Sequence, residues 1–333
     1  MKTKILEHQL GENPDINENS ILRMNPELIS ILLKDRSSGK NILWMTNNYA
    51  SHGAGYEENS EITIPSITGK NHNIIKPRIS KSKLEQFHRI RDKAEVFTPS
   101  WICNKQNNLI DNAWFGRSNI FNIEDDNGWS VTTVPIPFAT EGEKTWRNYV
   151  LAPRLEVSCG EAPYLVSRYD TTTGKMIHVK QRIGLLDRKL RVVSENTTRR
   201  DIWLLWSMKA VQSIYGYEWQ GDNLLLAREN IVFTYIDYYK ARFDGQLPPL
   251  SILTEVAEIV SWNLWQMDGL KFVIPCSCHE NVTIEMELFG ERVTKTACEG
   301  CTSGDIHKHN GIYCKIKDWQ KNETFSALSM LRR

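Results

Sequence analysis

Four short segments, taken in their order along the chain, contain the residue types that a nucleoside ligand needs. These segments are Glu95-Val96-Phe97-Thr98-Pro99, Glu156-Val157-Ser158-Cys159-Gly160-Glu161-Ala162, Tyr215-Gly216-Tyr217-Glu218 and Asn263-Leu264-Trp265-Gln266-Met267-Asp268. Gly160 lets the backbone approach a ligand closely, because glycine has no Cβ that would clash. Glu218 ends the third segment, where an acidic residue accepts hydrogen bonds from ribose hydroxyls. Asp268 ends the fourth and supplies a carboxylate for the amino group of a base.

Cysteines and histidines cluster beyond Pro275 in a pattern typical of metal ligands. Cys276-Ser277-Cys278 forms one pair of thiols and Cys298-Glu299-Gly300-Cys301 forms another, and His279, His307, His309 and Cys314 lie nearby in sequence. Four thiolates suit a tetrahedral structural zinc, which would stabilise a tail too small to have its own core. We predict that the ligands are Cys276, Cys278, Cys298 and Cys301. The alternative is a set of reduced, partly buried thiols without a metal.

The four segments need a sheet to bring them together, and the middle of the chain alternates strand and helix patterns. Strands are predicted at 154–157, 213–218 and 263–268, and helices at 200–212, 222–243 and 251–262. This alternation is typical of an α/β fold. In such a sheet the ligand binds where strands end, so we expect Gly160, Glu218 and Asp268 to lie near one edge.

The order of these segments resembles that of the amino-methyltransferases of DNA, in the class whose Phe-Thr-Pro segment precedes the glycine turn. Residues 156–165 resemble the Asp-Pro-Ala-Cys-Gly-Ser-Gly-Ala-Phe-Leu turn of that family, and residues 215–218 resemble its Tyr-Gly-Val-Glu strand. The resemblance covers roughly residues 90–275 and implies a Rossmann-like core that binds S-adenosylmethionine (SAM). It implies SAM contacts from Phe97, Thr98, Pro99, Glu156, Cys159, Gly160, Glu218 and Asp268. Glu218 would bind the ribose and Asp268 the adenine end.

Two features depart from the family pattern. Ala162 stands where the second glycine of the turn is usual, and its extra methyl group predicts a shifted or weaker cofactor site. More than 50 residues separate Gly160 from the strand that begins at Ser213, which is longer than an ordinary crossover. That stretch contains the basic residues Arg182, Arg188, Lys189, Arg191, Arg199 and Arg200. We therefore expect an inserted element that faces DNA or a partner.

The catalytic tetrapeptide of amino-methyltransferases, Asn/Asp-Pro-Pro-Tyr/Phe, does not occur in the sequence. In that family it holds the target amino group and stacks on the flipped base. The whole chain also resembles restriction-modification proteins labelled subunit M. Together with the absence of the tetrapeptide, this resemblance favours an adenine-N6 methyltransferase that is split between two polypeptides, of which this chain is the SAM-binding one. The resemblance then implies three partners: DNA, a second methyltransferase subunit that carries Asn-Pro-Pro-Tyr, and a restriction endonuclease. Methyl transfer would be a direct attack by the amino nitrogen without a covalent intermediate.

Two other functions fit parts of the sequence. The first is a non-catalytic module, in which a methyltransferase fold serves only DNA binding or assembly; the substituted glycine turn favours it. The second is a cytosine-C5 methyltransferase with Cys276 as the nucleophile, because Pro275-Cys276 follows the Asp268 strand. Glu280-Asn281-Val282 lies too close to Cys276 to be the further signature of that class.

The composition is that of an ordinary globular chain. Among 333 residues, 41% are hydrophobic and 24% are charged, and the formal net charge of +1 excludes a globally basic nucleic-acid binder. No apolar run approaches the ~20 residues that a membrane span needs, and residues 1–8 show no core of a secretion signal. Seven cysteines indicate reduced thiols or metal ligands. We therefore predict a cytoplasmic protein without a membrane partner.

Composition also suggests three regions. Residues 1–90 form an N-terminal extension with a basic arm, residues 91–275 form the methyltransferase-like core, and residues 276–333 form a Cys/His-rich C-terminal tail. The arm spans 70–93, where eight Lys and Arg residues stand against two acidic residues. Such an arm either contacts DNA phosphates without reading sequence or is simply a solvated surface.

Overall fold

The computed structural model describes residues 13–93, 95–287 and 290–332. Residues 1–12, which include the stretch predicted to have no secretion signal, lie outside the described residues. Ala94, which precedes the Phe-Thr-Pro segment, also lies outside them. Within the described ranges, none of the helices combines the length and apolar character needed to cross a lipid bilayer.

Helices and strands both contribute to the fold. The α-helices are Glu18–Met24 (α1), Pro26–Leu33 (α2), Ile64–Ile67 (α3), Lys83–Lys93 (α4), Ser100–Phe115 (α5), Trp146–Leu151 (α6), Leu185–Asn196 (α7), Arg200–Gln212 (α8), Gly221–Arg242 (α9), Leu250–Asn263 (α10) and Glu299–Ser303 (α11). The strands are Asn122–Asp125 (β1), Gly128–Val131 (β2), Arg154–Val157 (β3), Ile214–Glu218 (β4), Leu264–Gln266 (β5), Asn281–Glu287 (β6), Gly290–Thr296 (β7), Lys315–Asp318 (β8) and Glu323–Ser326 (β9). Short 3₁₀ turns link several of them.

A parallel sheet organises the middle of the chain, with strand order β3-β4-β5. Glu156 lies opposite Gly216 in the first pair, and Glu218 lies opposite Gln266 in the second. The predicted combination of helices with a sheet is therefore confirmed, and the strands are parallel. The other strand pairs, β1-β2, β6-β7 and β8-β9, are separate antiparallel hairpins.

Helix α9 lies at the centre of the largest apolar cluster. Of its 22 residues 18 are buried, so the rest of the protein surrounds almost its whole circumference. The same cluster includes Leu32 of α2, Val211 of α8 and Val256 of α10. The N-terminal helices thus share one core with the elements that flank the sheet.

Buried ion pairs hold part of the basic arm against this core. Asp222, at the start of α9, accepts hydrogen bonds from Tyr49 Oη at 2.7 Å and pairs with Arg89 Nη1 at 2.8 Å. Lys81 Nζ lies 3.5 Å from the same carboxylate. Arg89 and Lys81 are buried, so these two members of the arm are not available to contact phosphate.

The long stretch between Gly160 and β4 is also part of the core. Arg188 is buried and pairs with Asp111 at 2.5 Å, and buried Lys189 donates to the carbonyl of Val150 at 3.0 Å. Arg182, also buried, pairs with Asp237 at 2.6 Å. The prediction that these three residues face DNA is therefore wrong, because each binds protein acceptors in the interior.

A second apolar cluster joins the sheet to the C-terminal tail. Trp265 and Met267, in and after β5, pack with Ile274, Cys314 and Ile316. Tyr215 and Tyr217 of β4 are partly buried against the same cluster. The tail therefore covers one face of β4 and β5.

Candidate functional site

The turn that follows β3 contains residues with left-handed backbone. Gly160 has φ of 53°, and Ala162 has φ of 63° although it is not glycine. Such a conformation costs an alanine roughly 1–2 kcal/mol, which the surrounding core has to offset. Ala162 is fully buried in that core. The turn thus keeps its glycine-like shape despite the substitution.

A cavity of about 800 Å³ opens at the carboxyl ends of β3 and β4. Its volume lies in the range of pockets that hold small ligands. It is lined by Arg91, Glu95, Val96, Phe97, Thr98, Glu156, Val157, Ser158, Cys159, Gly160, Pro163, Tyr164, Glu218, Trp219, Gln220 and Asn223. Six of the eight predicted cofactor residues are in this set. The two that are not are Pro99 and Asp268.

Glu218 links the glycine turn to the end of β4. Its two carboxylate oxygens accept the N–H of Gly160 at 2.9 Å and the N–H of Gln220 at 3.1 Å. Burial nevertheless raises the pKa of Glu218 to about 7, against the two hydrogen bonds that lower it. A carboxylate has about four lone-pair sites, so acceptor capacity is left for a ligand.

Glu156 forms a second carboxylate in the cavity wall. It accepts the N–H of Leu165 at 3.1 Å and that of Tyr164 at 3.4 Å. Burial raises its pKa to about 8, and the charge of Glu218 adds to that shift. A positively charged ligand between Glu156 and Glu218 would stabilise the ionised forms of both carboxyl groups and lower their pKa values.

The Phe97 segment closes another side of the cavity. The Arg78 guanidinium lies 5.1 Å from the centre of the Phe97 ring. A Cβ added to Gly160 would lie 3.7 Å from that ring, so the turn and the aromatic ring are in van der Waals reach. An ion pair between Glu95 and buried Arg89 ties the segment to α4. Phe97 and Gly160, which are 63 positions apart in sequence, therefore meet in the wall of the cavity.

Asp268 lies elsewhere, in the turn that follows β5. Its Oδ1 accepts the N–H groups of Leu270 at 3.0 Å and Lys271 at 3.2 Å. The end of β5 is occupied by the N-terminal segment, since Gln266 exchanges two hydrogen bonds of 2.8 Å with the backbone of Leu43. The sequence pattern could not reveal this segment, and the structure gives Asp268 a turn-stabilising position outside the cavity.

Several residues of the cavity were not identified from the sequence. Trp219 is 37% exposed and follows Glu218 directly, so an aromatic ring stands beside the carboxylate. The position of Trp219 immediately after Glu218, at the end of a predicted strand, was the sequence signal that could have identified it. Arg91 and Asn223 had no comparable signal, because they reach the cavity from helices α4 and α9.

A second candidate site lies in the tail, where four ligand atoms converge. Nδ1 of His309 lies 3.6 Å from Sγ of Cys278, 3.8 Å from that of Cys298 and 3.7 Å from that of Cys301. In a tetrahedral zinc site with Zn–S of about 2.3 Å and Zn–N of about 2.0–2.1 Å, sulfur and nitrogen would be about 3.5 Å apart. All four ligand atoms lie within 4.8 Å of one another and can hold a metal ion.

This group differs from the predicted one at a single position. His309 takes the place predicted for Cys276, whose backbone has φ of 56° and whose residue is exposed. Gly300 makes the approach of His309 possible, because a Cβ there would lie 2.6 Å from the backbone nitrogen of His309. Cys276 does not line the cavity beside Glu218 either, which weighs against its role as a nucleophile there.

Comparisons with models of protein families, with curated proteins and with solved structures find no match to this chain.

Proposed function

We propose that this chain is the SAM-binding subunit of an adenine-N6 DNA methyltransferase that is divided between two polypeptides. One observation carries the proposal: Phe97, Gly160 and Glu218, from three distant segments, line one cavity at the carboxyl ends of parallel strands. This is where a Rossmann-like sheet binds its cofactor. The proposed core is thus a Rossmann-like methyltransferase fold.

The cavity offers groups that suit each part of SAM. Glu218 keeps acceptor sites for the two ribose hydroxyls after binding Gly160 and Gln220. Glu156 and Glu95 provide carboxylates for the positively charged sulfonium and amino groups. Trp219 offers an aromatic surface on which an adenine ring can stack. SAM, when bound, supplies the methyl group that the target amino nitrogen attacks.

The target-binding groups are proposed to come from outside this chain. A partner subunit with Asn-Pro-Pro-Tyr would hold the flipped adenine of DNA against the cavity, because the present sequence lacks that tetrapeptide. We place the assembly in a cytoplasmic restriction-modification system, together with a restriction endonuclease. These assignments rest on the sequence resemblance described above.

The proposal is tested by calorimetric titration of SAM into the purified chain. We expect saturable binding that Glu218→Ala abolishes and that Asp268→Ala leaves intact, since Asp268 is the matched acidic residue outside the cavity. Circular dichroism checks that both variants are folded. Absence of binding by the wild-type chain, or equal binding by Glu218→Ala, would contradict the proposal and favour the non-catalytic module.

We further propose that the ion held by the tail is zinc in a closed structural site. Three thiols and one imidazole nitrogen at tetrahedral spacing support this choice, and a closed set of four ligands leaves no position for a substrate. Metal analysis of protein purified under reducing conditions should find about one zinc per chain. Cys301→Ser should lose it, whereas Cys276→Ser should keep it. Retention by Cys301→Ser would refute the ligand set.

A further inference from the structure

Strand β3 stands at one end of the parallel sheet and pairs only with β4 in the part of the chain that the structure describes. Arg154 donates its N–H to the carbonyl of Ser213, on the β4 side, at 2.9 Å. The backbone groups of Leu155, the next residue, therefore point to the open side. An edge of this kind is a template for a further strand.

The side chains of this edge strand are also uncovered on one face. Leu155 is 45% exposed and Val157 is 61% exposed, although both are apolar. Purely parallel sheets are normally covered on both faces. Here the tail covers Tyr215 and Tyr217 of β4 on that face, and the cover does not extend over β3. A cleft of about 540 Å³ opens between Leu155 and the tail.

The strand order indicates which neighbour would extend the sheet at this edge. Read from this edge to the other end of the sheet, the strands follow chain order as β3, β4 and β5. This is the order found in one half of a doubly wound sheet, in which the other half begins on the open side of the first strand. Ligands of such sheets bind at the carboxyl ends of the strands where the two halves meet. The cavity beside Glu218 lies there, and Val157 lines it.

We propose that a strand of the partner subunit pairs in parallel with the outer edge of β3 and covers Leu155 and Val157. Parallel pairing brings the carboxyl end of the partner strand to the cavity, so that a loop following that strand faces the proposed SAM site. This inference rests on the proposed function for the identity of the partner. The edge, the bare face and the strand order are independent of it.

A second copy of this chain fits the edge less well. A twofold pair of β3 strands would run antiparallel, as symmetric dimers require of identical edges. The carboxyl end of the added strand would then lie at the end of β3 that is remote from Glu218. Such a dimer would bring no loop to the cavity.

The experiment places the photo-cross-linker p-benzoylphenylalanine at position 155 or 157 of the full chain in the cells that produce it. Position 205 is the control, because Leu205 is 52% exposed on α8. Irradiation followed by mass spectrometry identifies the attached polypeptide. We expect the cross-linker at positions 155 and 157 to form adducts with a polypeptide that contains Asn-Pro-Pro-Tyr. The site of attachment on that polypeptide should lie just before the tetrapeptide. The cross-linker at position 205 should not form these adducts. Adducts with a second copy, the same adducts from position 205, or no adducts would overturn the inference.

A charge variant gives a second readout. Leu155→Lys should lower the recovery of the same partner on the tagged chain at least about tenfold, because the interface would bury an unpaired ammonium group. Leu205→Lys should leave it unchanged. Equal recovery with Leu155→Lys would also overturn the inference. Leu155 does not line the SAM cavity, so Leu155→Lys should bind SAM as the wild-type chain does. The two proposals can then fail separately: SAM binding by the wild-type chain without partner adducts at positions 155 and 157 would refute only the β3 interface, whereas absence of SAM binding by the wild-type chain would refute the proposed function.

Discussion

The pH dependence of SAM binding follows from the position of Glu218. Burial raises the pKa of this carboxyl group to about 7, while the N–H groups of Gly160 and Gln220 stabilise its ionised form. Ribose hydroxyls donate hydrogen bonds, so they bind the carboxylate better than the protonated acid. Binding should therefore strengthen as the pH rises through the pKa of Glu218, and it should release a proton.

The magnitude follows from the ionised fraction. A group with a pKa of about 7 is roughly one tenth ionised at pH 6 and roughly nine tenths ionised at pH 8, which predicts a dissociation constant about tenfold lower at pH 8. Burial also raises the pKa of Glu156, to about 8, so ionisation of that residue acts in the same direction. About tenfold is thus the contribution of Glu218 alone.

Calorimetry at both pH values, in buffers of different ionisation enthalpy, measures the affinity and the proton release together. The Glu218→Gln side chain keeps one acceptor oxygen and cannot ionise. The variant should therefore bind SAM more weakly than the wild-type chain, and its dissociation constant should vary less with pH. Titration of SAM itself is common to both proteins and cancels in the comparison. Equal pH dependence in wild type and Glu218→Gln would refute the reasoning.

Two further predictions concern stability and the metal group. Arg188→Met should lower the free energy of unfolding by about 3–5 kcal/mol in urea denaturation, since it removes the closer cation of buried Asp111 and leaves only Arg154 Nη2, 4.0 Å away. The exposed pair of Arg199 with Asp201 provides the control, and Arg199→Met should cost much less than Arg188→Met because solvent screens exposed charges. Similar losses for both variants would show that burial does not govern the cost. Gly300→Ala should reduce zinc content and the melting temperature, because its Cβ would lie 2.6 Å from the backbone nitrogen of His309. Full zinc occupancy in that variant would contradict the proposed geometry.

The sequence predicted best those elements whose signals are local. The strand at 154–157 and the helix at 200–212 agree with the structure at both ends, because short apolar runs and helical periodicity mark them directly. The end of a predicted strand at Glu218 agrees with the structure for the same reason. His309 was named among the nearby residues and was not chosen as a ligand, because CxC and CxxC pairs favour thiols. Its approach depends on the packing against Gly300, which spacing does not encode.

The residues whose positions were predicted wrongly have partners that are remote in sequence. Arg188 looks like a surface cation until Asp111 is brought beside it, 77 positions away. Asp268 ends its segment as an adenine-binding acid would, yet Leu43 binds the end of β5. Charge and spacing predict which chemistry a residue can perform, whereas its burial depends on which distant segment packs over it.

The N-terminal region consequently belongs to the chemistry of the cavity. Arg89 pairs with Asp222 at 2.8 Å and also with Glu95, so one buried guanidinium joins α9 to the segment that carries Phe97. Tyr49, which lies 40 positions before Arg89, donates a hydrogen bond to the same Asp222 carboxylate. Removal of Arg89 would take this cation from buried Glu95 and leave Asp222 with Lys81, 3.5 Å away, and it would release the Phe97 segment from the wall of the cavity. The segment thus depends for its position on residues that composition alone assigns to a separate extension.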